Sequence, residues 1–182
     1  MARAAPRRYV AACFFGRGLS LFALTALSRR CHTRSRGCRI PLPVKPPFEV
    51  IDHTADVGIL ARGETLAEAF ANAAKGMFSL MVDLDEVVER EVRRVRVEAS
   101  DLEGLLVAWL SELIFILDVE DLVFGRFEVE AISSTGLAAR AFGERLDRER
   151  HPRGMVIKAV TRHMLEVGRA DHGYQARVIF DI

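Results

Sequence analysis

Two aspartates and a histidine lie close together where a strand pattern begins. Asp52, His53 and Asp56 precede the run 57–60, whose alternation is typical of a strand. If Asp56 and Gly58 share a face, the carboxylate projects beside a glycine, where another group can approach closely. Such a carboxylate suits a hard cation with oxygen ligands, Ca²⁺ or Mg²⁺. The alternative is that these side chains only make the local hydrogen bonds of a turn.

The carboxyl end of the chain offers a second pair of negative groups. The run 174–181 alternates like a strand and stops at Ile182. Asp181 and the α-carboxylate of Ile182 repel one another unless a cation or a donor lies between them, or the terminus is simply solvated. Lys158, with His163 beyond it, is a further candidate, although a single lysine is commonly a solvated charge.

The charges are segregated along the chain. Residues 1–48 hold ten of the 26 Lys and Arg residues and none of the 25 Asp and Glu residues. The remaining chain therefore has a net charge of −9, from 16 basic and 25 acidic residues. This balance argues against direct nucleic-acid binding through a broad basic face, because that binding depends on phosphate neutralisation by Lys and Arg. It suits a metal ion or a basic protein partner.

Residues 1–47 are interpreted as a basic leader and linker. They contain all three cysteines and end in a proline-rich stretch. Their longest uncharged piece, 18–28, is shorter than the roughly 20 residues of a membrane-spanning helix, so no membrane anchor is expected. An organellar transit peptide and a secretory signal both fit this segment. A misassigned start site also fits, because the next methionine is only Met77 and a start at a non-Met codon could have been missed. The folded domain is expected over 48–182.

Two amphipathic helices are predicted in that domain. Apolar residues recur at helical spacing over 65–82 and over 100–117. The pairs Thr65 with Glu68 and Ser100 with Glu103 each match a capping box, which would fix where each helix begins.

The rest of the domain alternates with period two. The runs 94–99, 127–131, 137–146, 155–160 and 174–181 read as strands. Their order predicts an α+β fold, with the two helices packed on a largely antiparallel β-sheet. The glycines form no phosphate-binding loop, and no serine lies in a nucleophile elbow.

Six segments together resemble the archease family over residues 48–182. They are the opening Phe48 to Gly58 with its His-Thr-Ala-Asp core, the capped stretch 65–70, the segment 118–127, Gly143-Glu144-Arg145-Leu146-Asp147, Ile157-Lys158-Ala159-Val160-Thr161, and the ending Val178-Ile179-Phe180-Asp181-Ile182. The order of these motifs and the Asp-Ile ending are the specific part of the likeness. Family members often carry an aromatic residue and an acid where this chain has Arg162 and Met164, so no role is carried over to those two positions.

The resemblance implies a function without catalysis by this chain. Archeases are protein cofactors of the RtcB-type RNA ligase, which uses GTP and metal to join tRNA halves and to seal broken RNA. They promote guanylylation and multiple turnover of that ligase. In the family a divalent metal ion, taken to be calcium, is bound at positions that correspond to Asp56, Asp181 and Ile182. Contact with the ligase is expected through Asp52, His53 and Lys158.

Two other functions remain open from the sequence. One is a chaperone-like modulator of RNA-modifying enzymes such as tRNA methyltransferases, a role also suggested for the family. The other is a small metal-dependent hydrolase that uses Asp52, His53 and Asp56. Work on tRNA favours a cytoplasmic location, whereas a genuine transit peptide in 1–47 would place the protein in an organelle.

Overall fold

The computed structural model describes residues 46–52, 56–152 and 154–182, with every side chain in these ranges except that of Asp52. The interpretation of 1–47 as a leader concerns residues outside this range, apart from Pro46 and Pro47. The described residues all belong to one compact unit. In this part of the chain no helix is long and apolar enough to cross a membrane.

The described residues form two α-helices, a single 3₁₀ turn and seven strands. In chain order these are β1 (Phe48–Asp52), β2 (Val57–Gly63), α1 (Leu66–Met81), the 3₁₀ turn (Leu84–Glu86), β3 (Glu91–Glu98), α2 (Leu102–Glu120), β4 (Leu122–Ile132), β5 (Gly136–Arg145), β6 (Ala159–Ala170) and β7 (Gly173–Asp181). The predicted α+β class is confirmed.

The strands form two sheets rather than the single sheet expected. One sheet has the order β1-β2-β7-β6 and the other the order β3-β5-β4, and every pairing in both is antiparallel. Each helix contacts strands of both sheets, so the two helices share one apolar core with them. Trp109 joins the helices directly, because its indole N–H donates to the Phe70 carbonyl over 3.3 Å.

The helix starts follow the predicted chemistry in one case and depart from it in the other. At α1 the Glu68 amide donates to the Thr65 hydroxyl, and the Glu68 carboxylate accepts from the amide of Glu64. At α2 the capping residue is Asp101, whose carboxylate accepts from the Gly104 amide over 2.6 Å. The predicted Ser100–Glu103 box is therefore wrong, because a carboxylate one residue later is the better-placed acceptor.

The predicted short strand over 155–160 is correct only for its last two residues, because β6 begins at Ala159. Residues 154–158 precede β6, and the amides of Gly154 and Met155 donate to carbonyls at the end of α1, those of Met81 and Leu80. The ladder between β6 and β7 begins only at Ala159, opposite Asp181.

Strand β6 contains a wide bulge. Thr161 pairs with Ile179 and Glu166 pairs with Arg177, so four residues of β6 face a single residue of β7. Within the bulge Met164 adopts a left-handed backbone, with φ of 51°.

The Arg162 guanidinium, in the same bulge, lies near Asp101 at the beginning of α2. The Gly104 amide, then the Ser100 hydroxyl and then the charge of Arg162 hold the pKa of Asp101 below its usual value.

Candidate functional site

The register of the first sheet brings the two predicted aspartates together. Val57 pairs with Phe180 at the ends of β2 and β7. Continuing this antiparallel register by one residue sets Asp56 opposite Asp181. Directly opposed residues place their side chains on the same face of a sheet, with Cβ atoms roughly 5 Å apart. Two carboxylates that are far apart in the sequence therefore lie at the same end of the sheet, each next to a residue of the last pair of the ladder.

Gly58 has a different role from the one expected. A Cβ at this position would lie 2.5 Å from the Ile179 Cδ1 atom and 3.0 Å from the Val178 carbonyl. The space beside the glycine is therefore occupied by Ile179, which is itself buried. This isoleucine is the neighbour of Asp181 on the same face of β7, so it forms an apolar floor beside the aspartate pair.

Lys158 lies against the last two residues. Its amide donates to the Asp181 carbonyl over 2.8 Å, and its ammonium donates to the Ile182 main-chain oxygen over 3.0 Å. Lys158, predicted from the sequence as a candidate contact residue, thus lies beside the chain end. Lys158, Asp56, Asp181 and Ile182 are called the acidic tip from here on.

The donor set of the acidic tip fits a hard divalent cation. Asp56 and Asp181 carry carboxylate oxygens, and Ile182 offers its main-chain oxygen. Opposed like charges destabilise an antiparallel pair, so a cation between them would relieve their repulsion. In the described residues no three His, Cys, Asp or Glu side chains cluster as metal ligands.

The remaining predicted site residues are only partly described. Asp52 pairs with Val57 through the backbone of β1, but its side chain and His53 lie outside the described residues. The hydrolase alternative depends on both, and the structure adds no converging ligands in its favour among the residues it describes. His163 lies in the β6 bulge, where its amide donates to the Thr161 hydroxyl over 3.3 Å.

A second polar cluster is buried away from the acidic tip. Glu144 is only 3 % exposed, and its carboxylate accepts two hydrogen bonds from Arg150, at 2.8 and 3.1 Å, and one from the Val88 amide at 2.8 Å. Arg90 adds a fourth contact at 3.5 Å. Glu144 belongs to one of the motifs of the resemblance. Its hydrogen bonds connect Arg150, in the loop after β5, to Val88, which precedes β3. Its role is structural.

The hydrogen bonds from Arg150, then the Val88 amide and the charges of Arg150 and Arg90, lower the pKa of Glu144 from 4.5 to about 2. Because the pKa is lower in the folded state, the ionised carboxylate stabilises the fold fully above pH 4.5, and this contribution declines as the pH falls toward 2.

Glu144→Gln is therefore expected to lower the free energy of unfolding by about 2 kcal/mol at pH 7, since it removes the charge from the buried acceptor of the Arg150 and Val88 hydrogen bonds. Urea unfolding at a series of pH values measures this difference, which should shrink between pH 4.5 and 2. Glu149→Gln, an exposed change in the same loop, is the matched control. A difference that does not vary with pH would contradict the assignment to this charge.

Known proteins resemble this chain over the same residues. The family model described as "Archease protein family (MTH1598/TM1083)" matches residues 48–182. The "Protein archease" of Methanosarcina mazei is 42 % identical over 139 residues, which cover 74 % of this chain and 95 % of that protein. The "Protein archease" of Pyrococcus abyssi is 40 % identical and is covered over 98 % of its length.

A solved structure agrees with this likeness. The solution structure of protein 1598 of Methanobacterium thermoautotrophicum has a TM-score of 0.66 and 42 % sequence identity, and the match covers 75 % of this chain and 99 % of that one. The shared region is the one that contains both sheets, both helices and the acidic tip.

Proposed function

Because the chain belongs to the archease family, we propose that it is a non-catalytic protein cofactor that activates an RtcB-type RNA ligase in tRNA splicing and RNA repair. The observation that carries this proposal is the juxtaposition of Asp56 with Asp181 at the end of the first sheet, beside Ile182 and Lys158. These positions are the ones at which the resemblance implies a metal site.

The acidic tip is proposed to hold a divalent ion, with calcium as the first candidate. Asp56, Asp181 and the carboxylate of Ile182 would be its protein ligands, and water would complete the coordination. The ion would neutralise the opposed carboxylates and hold the ends of β2 and β7 in one geometry. This chain's own residues then present a rigid end of the sheet to the partner, on a domain whose net charge from residue 49 onward is −9.

Charge complementarity is the physical basis of the proposed partnership. A ligase site that binds RNA phosphates and GTP is expected to be positively charged, and complementary potentials steer association and fix orientation. The acidic tip would enter or border that site and favour guanylylation and turnover. Asp52 and His53, in the same chain segment as Asp56, are proposed to contribute to this contact, and Lys158 is proposed to orient the chain end within it.

The cytoplasm, where tRNA is processed, is the proposed location.

Multiple-turnover RNA ligation tests the proposal. The full chain is added in substoichiometric amount to a competent RtcB-type ligase with GTP, divalent metal and a broken RNA. Stimulation is expected from the wild type and not from Asp56→Asn, which should weaken Ca²⁺ binding in calorimetry by about 100-fold or more, since even changes to groups that only orient the ligands cost 10 to 100-fold. Asp171→Asn, an exposed change at the other end of the β6–β7 hairpin, should behave like the wild type.

Two results would contradict this function. If a competent ligase gains nothing from the wild-type chain, the ligase-cofactor function fails. Protection of a tRNA methyltransferase from aggregation by both wild type and Asp56→Asn would then favour the chaperone-like alternative, because a general binding surface does not need a metal-ligating carboxylate.

A further inference from the structure

A small apolar pocket lies at the carboxyl end of α2. Its volume is about 50 Å³, and its walls come from the end of α1, from Leu117 and Asp118 of α2, and from Met155 and Val156 in the segment that precedes β6. Asp118 is the one charged residue in this wall. A pocket of this size and composition accepts the end of a single aliphatic side chain rather than a cofactor.

Exposed apolar side chains lie at the pocket and along the solvent side of α2 beside it. Phe115 and Val119 are 56 % and 62 % exposed and lie one helical turn apart on α2, and Val156 is 59 % exposed. Asp118 is three residues from Phe115, so on the helix surface it neighbours the phenyl ring and joins this stripe to the pocket. Phe115, Asp118, Val119 and Val156 are called the α2 patch from here on.

The α2 patch is close to the acidic tip. Val156 borders Asp118 near the end of α2, whereas Arg162 lies by Gly104 and Asp101 at its beginning. The segment between them therefore runs alongside α2 in the opposite direction. Lys158 is part of that segment, two residues after Val156, which is roughly 7 Å along an extended chain.

Solvent exposure of a phenylalanine and two valines around a pocket is costly for a monomer and is characteristic of interaction sites. We propose that the α2 patch is a second contact surface for the same protein that receives the acidic tip. Its occupant is a partner segment with an aliphatic side chain for the pocket and a Lys or Arg beside it for Asp118. This inference rests on the proposed function and names the surface by which the ligase would hold the cofactor.

The charge of the domain supports this choice of occupant. The domain from residue 49 onward has a net charge of −9, and Asp118 adds a negative group to the α2 patch itself, so a partner segment with Lys or Arg is complementary to both. A second copy of this chain would instead bring another Asp118, or another part of a domain with a net charge of −9, against the first. Complementarity therefore favours the basic partner over self-association.

The test measures the affinity of the full chain for the RtcB-type ligase. Phe115→Ser with Val156→Ser should raise Kd about 10 to 100-fold, as expected for exposed apolar anchors at an interface. Ca²⁺ affinity and the unfolding temperature should not change, because both side chains are mostly exposed. Val92→Ser, at a valine of the second sheet that is 52 % exposed, is the matched control and should bind like the wild type. Asp118→Lys should weaken binding as well.

The outcomes separate this inference from the proposed function. If Asp56→Asn loses ligase stimulation while the double variant binds as tightly as the wild type, the α2 patch inference is overturned and the proposed function stands. A wild-type dimer in sedimentation that the double variant disrupts, with ligase affinity unchanged, would also overturn it and assign the α2 patch to a second copy. If the wild-type chain neither binds nor stimulates a competent ligase, both proposals fail together.

Discussion

Adding a Gly-Ser-Gly extension after Ile182 is expected to abolish Ca²⁺ binding and ligase stimulation while leaving the fold intact. The extension converts the proposed ligand, a terminal carboxylate, into a neutral peptide carbonyl, and it changes the chemistry of the residue whose main-chain oxygen accepts from the Lys158 ammonium over 3.0 Å. Calcium titration by calorimetry and the multiple-turnover ligation assay measure the two effects. A loss of about 100-fold or more in Ca²⁺ affinity is expected for a group that binds the ion directly.

The matched control replaces Ile182 by Val in the unextended chain. The side chain of Ile182 is 41 % exposed and the terminal carboxylate is kept, so Ca²⁺ binding and stimulation should remain. Circular dichroism should show the same unfolding temperature for all three proteins. An extended chain that binds Ca²⁺ like the wild type would remove Ile182 from the proposed ligand set and leave Asp56 and Asp181 to be tested separately.

Gly143→Ala is expected to cost about 4 kcal/mol of stability or to prevent folding, a value at the upper end for a single substitution. A Cβ at Gly143 would lie 1.8 Å from the Val123 carbonyl oxygen and 2.7 Å from the Phe124 Cα atom. These are backbone atoms of the paired strand β4, so no side-chain rotation relieves the overlap. The pairing of β5 with β4 would have to open next to the bulge at Phe124.

Gly168→Ala is the control for this prediction. Gly168 is also in a strand, β6, but no heavy atom lies within 4 Å of the position that its Cβ would take. Its stability should stay within about 0.5 kcal/mol of the wild type. Chemical denaturation of both variants measures the difference in the free energy of unfolding. If Gly143→Ala is as stable as Gly168→Ala, β4 and β5 do not approach one another as closely as in this structure.

Local features of the fold were predictable from the sequence. The Thr65 cap depends on residues three positions apart, and the period-two patterns reflect burial on one face, so short-range spacing reveals both. Asp101 was missed because Ser100 and Asp101 are adjacent and either can cap a helix. Strand pairing is non-local, so the same patterns could not tell one sheet from two, nor show that β7 lies beside β2.

The sequence singles out the residues of the proposed site but does not show how they are arranged. Asp56 and Asp181 stand out as carboxylates at strand ends, yet their opposition depends on a register across more than a hundred residues. Lys158 was expected at a partner contact. Its hydrogen bond to Ile182 could not be predicted, because it depends on the path of the segment that precedes β6. Phe115 falls outside the predicted apolar stripe of α2. A large apolar residue on the polar side of a helix is the sequence signal that could have indicated the α2 patch.

The strand order of the first sheet has a consequence for how the protein acquires its structure during synthesis. β7 is an inner strand between β2 and β6, although it follows all the other described elements along the chain. β1 and β2 can form a hairpin early, but the inner edge of β2 has no partner until the ribosome has released residues 173–181. A nascent chain therefore exposes an unpaired strand edge and part of the shared apolar core for most of its translation, the condition under which aggregation competes with folding. The many contacts between distant residues should also make the final step slow compared with that of a helical protein of equal length.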